Sequence, residues 1–119
     1  MKTLLLFVAI ALSINVFGQD IKTVKIGNLE VMTEDLGEMN WDEAKKACEN
    51  LGDGWRLPTK DELNILYQNK DVVGGFASKF YWSSTEFDNN IAWTQNFLYG
   101  LQLKGHEVNF SYYVRAVRD

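Results

Sequence analysis

The stretch GWRLPTKDEL, Gly54–Leu63, decides how this chain folds. Thr59 and Glu62 have the spacing of a helix capping box, in which the threonine hydroxyl accepts from a backbone N–H and the glutamate reaches back to the threonine N–H. Pro58 disfavours helical backbone at the residue before it, so the chain must arrive extended and turn sharply into a helix. We therefore predict a corner at this point, with Trp55 as its buried anchor.

Upstream of this corner the sequence predicts a β-hairpin. Ile21–Ile26 alternates apolar and polar residues, Gly27-Asn28 suits a tight turn, and Leu29–Met32 has the pattern of a second strand. Thr33–Met39 has no clear period and is predicted to be a loop.

Two amphipathic helices are predicted next. Asn40 and Glu43 form a capping box at the start of the first helix, which is expected to stop at Gly52 because glycine readily takes the left-handed conformation that ends helices. The second helix is capped by Thr59 and ends near Asn69. Apolar residues at helical spacing define the inward faces, which are Trp41, Ala44, Cys48 and Leu51 on the first helix and Leu63, Leu66 and Tyr67 on the second.

Short strands separated by turns are predicted in the second half. The strands are Lys79–Ser84, Ile91–Phe97, Leu101–Lys104, Glu107–Phe110 and Tyr113–Arg118, and the turns are Asp88-Asn89-Asn90, Tyr99-Gly100 and Gly105-His106. Within the second strand Ile91, Trp93 and Phe97 are predicted on one face, with Ala92, Thr94 and Asn96 on the other. A hairpin, two helices and a strand-rich half together predict an α+β domain.

Residues 1–18 have the features of a signal peptide. Lys2 gives a positive start, and Leu4–Phe17 is an apolar run shorter than the roughly 20 residues that span a bilayer. Cleavage is expected before Gln19, with an uncleaved membrane anchor as the alternative. We therefore expect an exported protein that is periplasmic, secreted or at the cell surface, without stable membrane insertion after cleavage, and with 19–119 as a single domain.

Charge and cysteine content narrow the classes of function. The formal net charge is −4 and the acidic residues are scattered, which argues against nucleic acid as a partner because phosphates require clustered Lys and Arg. Cys48 is the only cysteine, so no disulfide forms within the chain. Its place on an apolar helix face indicates a buried, inert thiol, and pairing with another chain is the alternative.

No catalytic or metal-binding constellation is apparent in the sequence. His106 is the sole histidine and has no partner at metal-ligand spacing. The polar run at 86–90 offers oxygen atoms but lacks the alternating pattern of a calcium loop, which favours a polar turn. Arg115 and Arg118 suit structural ion pairs, with an acidic ligand as the alternative. We expect no metal, no cofactor and no enzymatic activity.

Three segments together resemble a known family. They are Leu51–Thr59 (LGDGWRLPT), Tyr81–Glu86 (YWSSTE) and Tyr113–Arg118 (YVRAVR). Their order and spacing are similar to those of the family over about Ile26–Arg118. The chain thereby resembles the Lcl C-terminal domains, also called Fibrobacter succinogenes major paralogous domains. The resemblance implies a C-type-lectin-like fold, with two helices packed on a small, mostly antiparallel twisted sheet and a loop-rich second half. It also implies an exported bacterial protein, and one relative is an adhesin for sulfated glycans.

The chain departs from two chemistries found in the wider lectin-like group. Calcium-dependent sugar-binding lectins use a Glu-Pro-Asn motif, which cannot occur here because Pro58 is the sole proline, and a Trp-Asn-Asp motif, whereas Trp93 is followed by Thr94-Gln95. The formylglycine-generating relatives act through cysteines that the second half of this chain lacks. Neither calcium-dependent binding nor that enzymatic activity is expected.

Two hypotheses for function remain open. The first is a calcium-independent binding module for a glycan or a cell-surface protein ligand, and the second is a structural or assembly subunit of an envelope complex without a small-molecule ligand. A mixed polar and aromatic surface suits the first. The residues predicted to form it are Glu86, Asp88, Asn90, Trp93, Tyr99 and Tyr112.

Overall fold

The computed structural model describes residues 21–107 and 109–119. The predicted signal peptide and its cleavage site lie outside the described residues. The elements of the described part, in chain order, are β1 Thr23–Ile26, β2 Leu29–Met32, β3 Gly37–Met39, α1 Trp41–Glu49, α2 Lys60–Gln68, α3 Lys70–Val73, β4 Phe80–Asp88, β5 Ile91–Asn96, β6 Gln102–Glu107, β7 Tyr112–Val114 and β8 Val117–Arg118.

The described strands form two sheets. β2 lies between β1 and β8 in a three-stranded sheet, and the second sheet has the strand order β3-β7-β4-β5-β6. Neighbouring strands are antiparallel except for β4 and β7, which are parallel. The predicted α+β class, with two main helices and mostly antiparallel strands, is confirmed, although the strands divide into two sheets where one was expected.

The first hairpin is formed as predicted. Ile26 is paired with Leu29, which leaves a two-residue turn at Gly27 and Asn28. Gly27 has a φ of +62°, a conformation that favours glycine over residues with a Cβ. The local turn chemistry therefore fixes the register of β1 against β2.

The corner at residues 54–63 joins α2 to the end of the chain. Thr59 Oγ1 accepts from the Glu62 N–H at 3.2 Å and Glu62 Oε1 accepts from the Thr59 N–H at 2.9 Å, which confirms the predicted capping box. Arg56 pairs through its backbone with Val117, and its guanidinium donates to Glu62 at 2.7 Å and to Asp119 at 2.9 Å. This guanidinium holds the pKa of Glu62 below its usual value.

Removing the cap at Thr59 should weaken the domain measurably. We expect Thr59→Ala to lower the free energy of unfolding by about 1 kcal/mol, because a backbone N–H at the start of α2 loses its acceptor. Urea denaturation followed by tryptophan fluorescence measures this change. Thr59→Ser keeps the hydroxyl and should leave the unfolding midpoint almost unchanged. Equal midpoints for Thr59→Ala and the unmodified chain would contradict the role of the cap.

The first helix has the predicted inward face but a different end. Trp41, Ala44 and Cys48 are buried, as predicted. The helix ends at Glu49 with Asn50 as its C-cap, so the predicted stop at Gly52 is wrong by a few residues. Gly52 still takes a left-handed conformation, with a φ of +75°, in the turn that follows. Burial raises the pKa of the Cys48 thiol to about 12, helped by the charge of Glu49, as expected for an inert thiol.

Strand β4 separates two clusters of buried side chains. Tyr81 and Trp82 are consecutive and fully buried, and their side chains enter different clusters because neighbouring strand residues point to opposite faces. The cluster on the α1 side includes Trp41, Cys48, Trp55, Leu57, Trp82 and Val114. The cluster on the α2 side includes Val31, Leu63, Leu66, Tyr81, Phe97 and Val117.

The predicted strand Glu107–Phe110 and the predicted turn at Gly105-His106 are wrong. A single strand, β6, extends from Gln102 to Glu107. Trp93 pairs with Lys104 and Ala92 pairs with His106, so Gly105 is an extra residue within the strand. A β-bulge accommodates one extra residue without ending the ladder, and glycine is well suited to that position.

The predicted last strand is divided between the two sheets. β7 pairs with β3 and β4, whereas β8 pairs with β2, and the chain crosses between the sheets at Arg115 and Ala116. The segment predicted as a loop, Thr33–Met39, contains β3, which is three residues long and too short for its alternation to be recognised. α3 was also not predicted.

Both arginines of this last segment form the predicted structural ion pairs. Arg118 Nε donates to Glu30 Oε1 at 2.8 Å, which lowers the pKa of Glu30. Arg115 is fully buried and its Nε donates to Asp35 Oδ1 at 2.9 Å. Its Nη1 donates to the carbonyl oxygens of Met32 and Gly74. The buried guanidinium therefore joins three separate segments of the chain.

Candidate functional site

A two-residue bulge positions the outer half of the β4–β5 hairpin. Trp82 pairs with Thr94 and Glu86 pairs with Ala92, so β4 gains two residues relative to β5 within Ser83–Thr85. Three hydrogen bonds secure this bulge to the rest of the domain. Trp41 Nε1–H donates to the Ser83 carbonyl at 2.9 Å, and the Ser84 N–H donates to the Pro58 carbonyl at 2.8 Å. The Lys60 N–H donates to Thr85 Oγ1 at 2.9 Å. The outer half of the hairpin is thus attached to α1 and to the corner.

Two aromatic rings on this hairpin form a surface with two lysines. Phe87 is 48% exposed and Trp93 is half-buried, and their ring centroids lie 6.2 Å apart in an edge-to-face arrangement. Lys60 Nζ lies 4.1 Å from the Trp93 centroid, and Lys104 Nζ lies 4.7 Å from the Phe87 centroid. We call these four side chains the aromatic surface. Ammonium groups over ring faces contribute roughly 0.5–1 kcal/mol each at exposed sites, which favours one arrangement of the rings.

Acidic and amide side chains lie on the same hairpin. Glu86, Asp88 and Asn90 are all exposed, next to the turn that joins β4 to β5. Asp88 Oδ1 accepts from the Asn90 N–H at 3.0 Å, so one of its oxygens already stabilises the turn. The structure therefore brings four of the predicted site residues, these three and Trp93, onto one hairpin.

The other two predicted residues lie elsewhere. Tyr99 is 73% exposed in the turn after β5, at the opposite end of that strand from Asn90. Tyr112 is half-buried on β7, where its ring centroid is 4.9 Å from that of Trp82, and burial raises the pKa of its hydroxyl. Trp93 and Tyr99 are therefore not exposed together, and Tyr112 contributes to packing against the α1-side cluster.

Phe87, Lys60 and Lys104 were missed in the sequence. Phe87 stands alone between the acidic residues Glu86 and Asp88, and this isolated aromatic was the one signal available in the sequence. Lys104 is opposite Trp93 only because of the register of β5 against β6. Lys60 approaches Trp93 from the start of α2, a contact that no local pattern reveals.

Two further features concern possible metal ligands and the apolar character of the helices. Among the side chains that the structure describes, those of 21–104 and 109–119, no three His, Cys, Asp or Glu groups come together in an arrangement that would hold a metal ion. Among the helices of this part of the chain, none has the length and apolar character needed to cross a bilayer.

The fold and the hairpin define a class of protein. It is a small α+β domain in which two helices cover a mostly antiparallel framework and a bulged hairpin extends an aromatic and polar surface. A model of the Lcl C-terminal domain matches residues 22–118, and the chain belongs to that family. No curated protein matches the chain.

Proposed function

We propose that this chain is an exported, non-enzymatic module that binds a glycan or a cell-surface protein without calcium. The observation that carries the proposal is the aromatic surface, where Phe87 and Trp93 are held side by side on an anchored hairpin. The apolar run Leu4–Phe17 after Lys2 supports export. Membership of the Lcl C-terminal domain family is consistent both with export and with binding of a glycan or protein ligand.

The chemistry of the aromatic surface suits a sugar. The apolar C–H face of a sugar ring packs on an aromatic plane, while its hydroxyl groups need both donors and acceptors nearby. Lys60 and Lys104 supply donors, each with its ammonium group over one face of a ring, and Glu86 and Asp88 are exposed acceptors on the same hairpin. Rigid aromatic side chains also lose little conformational entropy when a ligand binds.

A second candidate function rests on a different surface. Leu98, Tyr99 and Leu101 are 49%, 73% and 60% exposed in and after the turn that follows β5. Apolar side chains grouped at a turn favour contact with another protein. This surface supports the alternative of a structural or assembly subunit in an envelope complex.

A glycan array tests the first proposal. The domain 19–119 should bind at least one glycan class equally well in calcium and in a chelator. Phe87→Ala should weaken that binding about tenfold or more, because an aromatic contact at the centre of a binding surface is lost. Circular dichroism should show an unchanged fold, since Phe87 is half exposed.

Leu98→Ala is the matched control for that experiment. Leu98 is 49% exposed, nearly the same as Phe87, but it lies at the other end of β5. Its replacement should leave glycan binding unchanged. If no glycan binds, either in calcium or in a chelator, the glycan proposal is wrong. A loss of binding in Leu98→Ala but not in Phe87→Ala would place the binding site on the second surface.

A further inference from the structure

We propose that the cleft between α3 and the loop 74–78 is a second binding site, which takes a single neutral sugar residue. This inference rests on the proposed function and adds to it a ligand class and a separate position. The cleft has a volume of about 350 Å³, at the lower end of the range of about 300–1,000 Å³ for small-molecule sites. Its walls include Lys70, Asp71, Gly75, Phe76, Ser78 and Phe97.

The inner side of the loop is fixed by partly buried hydrogen bonds. The Ala77 N–H donates to the Tyr81 hydroxyl at 2.8 Å, and that hydroxyl donates to Asp35 Oδ2 at 2.7 Å. Arg115 Nη1 donates to the Gly74 carbonyl at 3.0 Å. A loop held in this way presents its other groups in a fixed geometry, which reduces the entropy lost when a ligand binds.

Gly75 is required for the close packing of this loop. Its φ is +76°, and a Cβ at this position would clash with the Thr33 carbonyl oxygen and lie 3.2 Å from Arg115 Nη2. The backbone at Gly75 therefore lies directly over the buried guanidinium, and it is exposed on its other side. Any larger residue would push the loop outwards.

The outer side of the loop carries polar groups without partners in the described part of the chain. The N–H groups of Gly75, Phe76 and Ser78 have no acceptor there, and neither the Ser78 hydroxyl nor the Asp71 carboxylate has a hydrogen bond or ion pair. Lys70, in contrast, is occupied, because its Nζ donates to the Phe97 carbonyl at 3.2 Å and lies 4.7 Å from the Tyr67 ring centroid.

This combination of groups selects a neutral, hydroxylated ligand. Lys70 and Asp71 carry opposite charges, so the lining of the cleft has no net charge to attract an ion of either sign, and the Lys70 ammonium group already donates to the Phe97 carbonyl. Hydroxyl groups can donate to Asp71 and accept from the loop N–H groups, while the half-buried ring of Phe76 gives an apolar wall for sugar C–H groups. The cleft adjoins Phe97, after the end of β5 opposite to the Asp88–Asn90 turn. It is therefore a site of its own and no part of the aromatic surface.

Nuclear magnetic resonance titration tests the proposal. The ¹⁵N-labelled domain 19–119 is titrated with the methyl glycosides of glucose, galactose and mannose and with N-acetylglucosamine. At least one of these sugars should shift the amide resonances of Gly75, Phe76 and Ser78. Asp71→Asn should raise the dissociation constant about tenfold, because a charge-assisted hydrogen bond is lost. Asp61→Asn, which changes an exposed carboxylate on α2, is the control and should bind as the unmodified domain does.

The outcomes separate this inference from the proposed function. Shifts confined to Phe87, Trp93 and their neighbours would overturn the cleft site and leave the aromatic surface standing. Equal dissociation constants for Asp71→Asn and Asp61→Asn, or no shift in the loop with any of the four sugars, would also overturn the cleft site. The proposed function is judged separately, by the glycan array and the Phe87→Ala variant.

Discussion

Replacing Asp35 with alanine should lower the free energy of unfolding by about 3–5 kcal/mol, because the substitution leaves a buried guanidinium without its counter-charge. The Asp35 side chain is only 15% exposed and that of Arg115 is fully buried, and Arg115 Nη2 lies 2.9 Å from Asp35 Oδ1 without hydrogen-bond geometry. The substitution also removes the acceptor of the Tyr81 hydroxyl. Urea denaturation of the unmodified and variant domains measures the difference.

The ion pair between Glu30 and Arg118 is the matched control. It has a similar distance, 2.8 Å, but both side chains are between 20% and 30% exposed. Glu30→Ala should therefore lower the free energy of unfolding by only about 0–1 kcal/mol, the usual range for solvent-accessible pairs. If Asp35→Ala and Glu30→Ala lower the free energy of unfolding by similar amounts, burial is not what makes the loss of the Asp35–Arg115 pair costly.

Truncating Trp55 should have an effect of comparable size. We expect Trp55→Ala to lower the free energy of unfolding by about 3–5 kcal/mol, because a large side chain is removed from a packed core and leaves a cavity. Trp55 is 4% exposed within the α1-side cluster, and the guanidinium carbon of Arg118 lies 4.6 Å from its ring centroid. Thermal and urea denaturation give the change.

A graded series keeps the Trp55 prediction testable if the alanine variant does not fold. Trp55→Phe retains most of the buried area and should cost clearly less than Trp55→Ala. Phe87→Ala removes a half-exposed aromatic ring together with its contact to Lys104, and should lower the free energy of unfolding by only about 1 kcal/mol, well below the loss in Trp55→Ala. A Trp55→Ala variant as stable as the unmodified domain would contradict the role of Trp55 as the anchor of the corner.

The features predicted from the sequence are those that depend on residues close together in the chain. Both capping boxes, Asn40 with Glu43 and Thr59 with Glu62, involve positions three residues apart, so their side chains and backbone meet wherever the helix is placed. The two-residue turn at Gly27-Asn28 is equally local. These signals were sufficient for both main helices, the first hairpin and the α+β class.

The predictions of secondary structure that were wrong concern segments whose conformation depends on contacts with distant parts of the chain. Gly105 resembles a turn residue in sequence, but its pairing partner β5 keeps it within a strand as a bulge. The segment Tyr113–Arg118 alternates like one strand, yet Arg115 is buried and donates to Asp35. At that point the chain passes from one sheet to the other. Tertiary contacts overrode the local pattern in both cases.

The candidate site was predictable only in part for the same reason. Glu86, Asp88, Asn90 and Trp93 are neighbours in sequence on one hairpin, so their grouping followed from the predicted strands and turn. Tyr99 is at the far end of the same strand. Tyr112 packs on Trp82 through the parallel pairing of β4 with β7, which sequence alternation cannot reveal.

The bulge at Ser83–Thr85 has a consequence for how such a domain can diversify. It divides the hairpin into an inner half, whose side chains fill both cores, and an outer half, where residues 86–90 are exposed and Ala92 still packs in the α1-side cluster. Because the bulge is secured by its own hydrogen bonds to Trp41, Pro58 and Lys60, the exposed residues 86–90 beyond it contribute little to folding. Substitutions between Glu86 and Asn90 can therefore change the chemistry of this exposed surface while the cores, and with them the stability of the domain, are conserved.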